Sequence, residues 1–237
     1  MNHFGGFIMK RILALLFALC LLGSLVACHA GHDHGEETKP AQTQKLTYLD
    51  GDVSQDEVDE FLTLLTQAQS EGKFQGLSTV RADWYNVTPK EVSNSSEYTI
   101  FKESASCTSL VMIDGKLYEI CESFGGYGFV NAILWDFDNN GTKDLLVASS
   151  AGSGVHTASI SLFNTTTFTS VPVYTSTEND LFVLAATSTE GSVGLYICAA
   201  KVEVKDNNPA KLSYAATRIL GSVSVSQSGQ PVFNEMK

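Results

Sequence analysis

Nine residues, Asp136-Phe137-Asp138-Asn139-Asn140-Gly141-Thr142-Lys143-Asp144, sit between two apolar runs at 130–135 and 145–149. Those runs contain Ile133-Leu134-Trp135 and Leu145-Leu146-Val147-Ala148, without the polar alternation of a strand that has one wet face. Each reads as a strand buried on both sides. The two strands that flank the loop are therefore the expected middle of the fold.

From Gly76 onward the chain is a succession of short β-rich runs separated by turn residues, which favours an antiparallel sheet assembly over βαβ units. The other expected strands are 79–85, 98–102, 109–113, 116–121, 157–163, 171–175, 181–186, 193–204, 212–220 and 223–225. Ala158, Ile160 and Leu162 alternate with Thr157, Ser159 and Ser161, and Val223 and Val225 alternate with serines, as in strands with one buried face. One helix is expected at 55–70. Ser54 and Glu57 have capping-box spacing, Asp56 adds charge to the first turn, Val58, Phe61, Leu62, Leu65 and Ala68 share a face, and Gly72 ends the run. The expected fold is mainly β, with antiparallel sheets and one N-terminal α-helix.

The N-terminus reads differently. Lys10 and Arg11 precede an apolar run at 12–22, too short to span a bilayer comfortably, and small residues follow; this is a secretory signal. Met9 is a candidate start. The signal ends in Leu25-Val26-Ala27-Cys28, which resembles the lipobox of bacterial lipoproteins. The resemblance implies cleavage before Cys28 and its lipidation, and acyl chains on that cysteine would hold the protein stably at the membrane. The expected place is thus the cell envelope, on the extracytoplasmic side of a bacterial membrane. The expected organisation is a signal and lipobox at 1–28, a flexible tether at 29–44 and a helix-plus-β domain at 45–237. Without Lys10 and Arg11, 13 basic side chains face 26 acidic ones, a net charge of −13. That charge disfavours nucleic acid and anionic lipid surfaces as partners and suits cations.

Counting Asp136 as position one of the loop, Asp138 stands at three, Asn140 at five, Gly141 at six, the Thr142 carbonyl at seven and Asp144 at nine. Calcium takes six to eight oxygen ligands at about 2.3–2.6 Å, and a tightly curled loop with alternating oxygen-bearing residues can point them at one centre. An EF-hand would need a glutamate at position twelve and flanking helices; here that position is Val147 and the flanks are strands. The alternative is a metal-free hairpin turn built on Asn139-Asn140-Gly141, in which three converging acids would repel one another without a cation. Together with Phe124-Gly125-Gly126-Tyr127-Gly128-Phe129-Val130 before it and Leu145-Leu146-Val147-Ala148 after it, the loop resembles the FG-GAP repeat of integrin-like β-propellers and related bacterial surface proteins. The resemblance implies that Asp136, Asp138, Asn140, Asp144 and the Thr142 carbonyl are calcium ligands. The exit of the repeat, Ala148-Ser149-Ser150-Ala151-Gly152, departs from the usual Gly-Ala-Pro, and no second repeat is present. Once tether and helix are set aside, the 209 residues after Cys28 hold at most about four blades of roughly 40 residues. A closed propeller is not expected.

Cys107, Cys121 and Cys198 remain after the leader and Cys28 are accounted for. Cys107 and Cys121 flank the Asp114-Gly115 hairpin turn, so a disulfide between them is one expectation and three buried free thiols the other. A two-residue turn sets Cys107 opposite Glu122, so the bridge needs a one-residue register adjustment. In the tether, His29, His32 and His34 lie among Asp33, Glu36 and Glu37, a His-acid cluster that is either a zinc-, copper- or nickel-binding segment or a solvated spacer. Ser153 and His156 are close in sequence but do not form a G-x-S-x-G elbow. The glycines of 124–129 lack the Gly-Lys-Ser of a phosphate loop. Three functions are consistent with this sequence. The first is a calcium-stabilised, membrane-anchored binding or adhesion module with a protein or glycan partner. The second is a hydrolase or glycan-processing enzyme with an unrecognised site, and the third a metal-handling lipoprotein that uses its His-rich tether.

Overall fold

The computed structural model describes residues 47–48, 53–121, 125–137, 140–152, 155–176, 181–189 and 192–236. Gln44–Lys237 forms one compact unit. It is mainly β, with three antiparallel sheets and one helix longer than a single turn among the described residues. Cys28, His29, His32 and His34 lie outside the described residues.

The chain enters through β1 (Thr47–Tyr48) and helix α1 (Val58–Ser70). The helix begins later than its sequence predicts, because Ser54 Oγ accepts the Asp56 N–H (3.1 Å) while the Ser54 backbone bridges Asn86. Glu57 then turns left-handed, φ 62°, and its carboxylate accepts the Thr99 hydroxyl (2.9 Å), so the expected capping box is not formed. The apolar stripe does what its spacing predicts: Val58, Phe61 and Leu65 are fully buried against Trp84, Phe101 and Leu110. Gly72, φ 85°, follows the helix end.

The first sheet contains β2 (Trp84–Asn86), β3 (Thr99–Glu103), β4 (Ser109–Ile113) and β5 (Lys116–Glu119) in chain order, with a one-turn helix α2 (Lys90–Ser93) between β2 and β3. The expected strand at 79–85 is instead a 3-10 turn, Arg81–Asp83, leading into β2. The second sheet, also in chain order, contains β6 (Gly128–Trp135), β7 (Asp144–Ala151), β8 (Thr157–Asn164) and β9 (Thr169–Ser176). The third contains β10 (Leu181–Thr189), β11 (Ser192–Lys205), β12 (Asn208–Val225) and β13 (Pro231–Glu235), with β1 added beyond β10. Strand β12 is continuous across Gly221, where two strands, 212–220 and 223–225, were expected. At Gly221 a Cβ would stand 2.2 Å from the Asn234 carbonyl oxygen, so glycine lets β13 lie close. Val225 is exposed, against the expected alternation, because it sits at the outer end of this last hairpin.

Strands β6 and β7 are the centre, as their continuous apolar sequence requires. One face of the pair (Val130, Ile133, Leu146, Ala148) packs with Ile160, Leu162, Phe182, Leu184 and Ile197 towards the third sheet. The other face (Phe129, Ala132, Leu145, Val147) packs with Ile100, Val111, Ile113 and Ile120 of the first sheet. The described sheets remain open and form no closed barrel.

Candidate functional site

The 136–144 loop joins the first and second strands of the middle sheet, and Trp135 pairs with Asp144 at its neck. Phe137, 2 % exposed, anchors the loop in the core beneath it. The Asp136 carboxylate then gathers the chain: Oδ1 accepts the Asn140 N–H (3.1 Å) and Oδ2 the Gly141 N–H (3.0 Å). Asn140 Oδ1 in turn accepts the Thr142 N–H (2.7 Å). Gly141 adopts φ 88° with open space around a would-be Cβ, so it is needed for its backbone conformation, not for room. Asn140, Gly141, Thr142 and Lys143 are exposed, and the loop is open to solvent on that side.

Asp144 is different. It is 1 % exposed, and its Oδ1 accepts both the Thr165 N–H (2.8 Å) and the Thr165 hydroxyl (3.2 Å) from the β8–β9 turn. The structure thus brings Asp136, Asn140 and Thr142 into one curl and holds Asp144 at its base; Asp138 lies outside the described residues. The donors are oxygen atoms throughout, with carboxylates at both ends of a curl that closes on itself, which fits a hard cation such as calcium. Among the described residues no group of three or more His, Cys, Asp or Glu side chains is assembled for a metal.

A second buried polar group was not legible in the sequence. Strand β6 is the edge of its sheet, and an edge strand leaves backbone groups without ladder partners. At Phe129 those groups are satisfied from the first sheet. Its N–H donates to Ser109 Oγ (3.3 Å), and its carbonyl accepts from Lys102 Nζ (3.1 Å). Lys102 and Ser109 are cross-strand neighbours, so together they cover one peptide group of β6. Lys102 is 1 % exposed. Burial pulls its pKa down to about 8, against a smaller opposing effect of the Cys107 and Cys121 thiols. Two residues on, Asn131 continues the junction towards the third sheet. Its side chain donates to the Leu184 carbonyl (2.9 Å) and accepts the Leu184 N–H (3.0 Å), imitating a strand partner. A register shift between Phe129 and Asn131 accompanies this placement.

The expected disulfide between Cys107 and Cys121 is not formed: both are buried free thiols, as is Cys198. Asp114 and Gly115 make a two-residue turn with Ile113 paired to Lys116, and the pairing continues to Leu110 with Glu119. Cys121 consequently falls opposite Thr108, and Cys107 leaves the strand direction with φ 61°. Burial raises the thiol pKa values, to about 12 for Cys121 and about 11 for Cys198. The cysteines behave as inert core residues.

Among the described residues His156 is not brought to an exposed nucleophile. Its Nδ1 lies 3.4 Å from Ser150 Oγ, and its ring stacks on Tyr127. Ser150 is fully buried, with no surface from which to attack a substrate; Ser153 lies outside the described residues. Among the described residues, two surface clefts stand out. One, of about 460 Å³, runs between α1 and the β4–β5 hairpin. The other, of about 660 Å³, is lined by Asp56, Glu57, Lys90, Glu97 and Tyr98 near the start of α1.

Comparison of the chain with protein-family models, with curated proteins and with solved structures finds no match in any of the three.

Proposed function

We propose that this chain is a lipid-anchored extracytoplasmic binding or adhesion module whose β domain is stabilised by calcium in the 136–144 loop. The observation that carries the reading is the loop curl, in which the Asp136 carboxylate gathers the Asn140 and Gly141 amides at the neck of a largely buried hairpin. Asp136, Asp138, Asn140, the Thr142 carbonyl and Asp144 would hold the ion. When bound, calcium supplies positive charge that relieves repulsion among the loop carboxylates. The flanking strand, loop and leucine-rich strand support an FG-GAP-like unit set in an open sheet assembly. The signal and Cys28 support an anchor in a bacterial cell envelope, and the strongly acidic surface supports a protein or glycan partner over nucleic acid.

Thermal unfolding with calcium and with chelator tests this. At ten times its dissociation constant, calcium adds about 1.4 kcal/mol of stability, which is a rise of roughly 3–5 °C for a domain of this size. The rise should vanish in Asp138→Ala. An identical melting temperature with calcium and with chelator would sink the proposal.

A further inference from the structure

Resting on the calcium reading, we propose that the β8–β9 turn is part of the cation site: Thr165 is a positioning residue that aims the Asp144 carboxylate. A carboxylate at the last ligand position of a loop has to be turned to the ion and kept there, and partners behind the ligands commonly do this. Here the partner comes from 21 residues further along the chain. Thr165 is 6 % exposed and makes three contacts at the base of the loop. Its N–H and its hydroxyl both meet Asp144 Oδ1, and the hydroxyl also reaches the Lys143 carbonyl (3.0 Å).

The turn is itself held in place. Asn164 Oδ1 accepts the N–H groups of Thr166 (3.1 Å) and Thr167 (2.7 Å), and the Asn164 carbonyl accepts the Phe168 N–H (2.8 Å). Phe168 then stacks face to face on Tyr118 of the first sheet, 4.1 Å between ring centres and 4° between planes. Thr165 therefore approaches Asp144 from a fixed platform, and the loop cannot reposition that carboxylate without working against the turn.

The test uses terbium as a calcium surrogate, with luminescence sensitised by Trp135, the residue before Asp136. Thr165→Val keeps the backbone N–H and the side-chain shape but removes both hydroxyl contacts. It should weaken terbium affinity about tenfold and leave the melting temperature in chelator within a few degrees of wild type. Thr165→Ser, which restores the hydroxyl, should recover wild-type affinity. If wild type binds terbium and Thr165→Val binds it equally well, the positioning role is wrong while the calcium site stands. Equal weakening in Thr165→Val and Thr165→Ser would also overturn it, because packing of the methyl group and not the hydroxyl would then matter. If wild type binds neither terbium nor calcium, the calcium reading itself falls, and this inference with it.

Discussion

Replacing Lys102 by methionine should change the pH dependence of stability more than stability itself. Lowering the ammonium pKa from 10.5 to about 8 is a bias of about 3 kcal/mol against the charged form in the fold. Below pH 8 the lysine is charged in both folded and unfolded chains, and the native state bears the whole penalty. Between pH 8 and 10.5 the unfolded chain holds more protons than the folded one, so stability rises with pH; above 10.5 the penalty is gone. Methionine removes the penalty but leaves the Phe129 carbonyl without its donor, which costs about 1–3 kcal/mol. The two effects nearly cancel at neutral pH. Raised pKa values at Cys121 and Cys198 act the other way above pH 9, where the unfolded thiols ionise first. Cys198 does so in both proteins, and Cys121, although the Lys102 charge pulls against its burial, stays protonated in either fold up to pH 10, so both largely drop out of the difference. Urea unfolding under reducing conditions at pH 7, 8, 9 and 10 measures that difference. Wild type minus Lys102→Met should rise by about 1 kcal/mol from pH 7 to 9 and by roughly 2 kcal/mol by pH 10. A flat difference would refute a desolvated ammonium at this junction.

Two further outcomes follow from the packing. Gly128→Ala should be far more destabilising than Gly141→Ala. Both positions are left-handed, at about 1–2 kcal/mol for a Cβ. At Gly128, however, the new Cβ would also stand 2.1 Å from the Cys107 carbonyl oxygen, whereas at Gly141 it meets open space; denaturant midpoints compare the two. The thiols of Cys107, Cys121 and Cys198 should resist a water-soluble thiol reagent in native buffer and react fully in denaturant, and rapid native labelling would contradict their burial.

Local rules carried far along this sequence. The apolar stripe at 58–65 needs only helical periodicity to declare its buried face, and the Asp114-Gly115 pair fixes the hairpin register within its own few residues. That same register already counted against a bridge from Cys107 to Cys121. The unbroken apolar runs on either side of the 136–144 loop marked a pair of strands covered on both faces, and the loop's curl follows from Asp136, Asn140 and Gly141 alone. These features are set by contacts between near neighbours, which any reading of spacing can reach.

Other features were decided by approach between distant segments. Lys102 sits in a strand where a charged residue ordinarily points to water. It is buried because β6 is an edge whose Phe129 carbonyl needs a donor. Asn131 interrupts an apolar run for a similar reason, its partner lying 53 residues away at Leu184. Ser54 has the spacing of a helix cap, yet its backbone is drawn into a bridge with Asn86 and the helix starts later. Asp144 has the spacing of a ligand, and its carboxylate is held by Thr165, 21 residues further along. Spacing along the chain specified which groups can meet their own neighbours. Only the assembled sheets determined which backbone and side-chain groups would be buried without a local partner, and so which distant residues had to supply one.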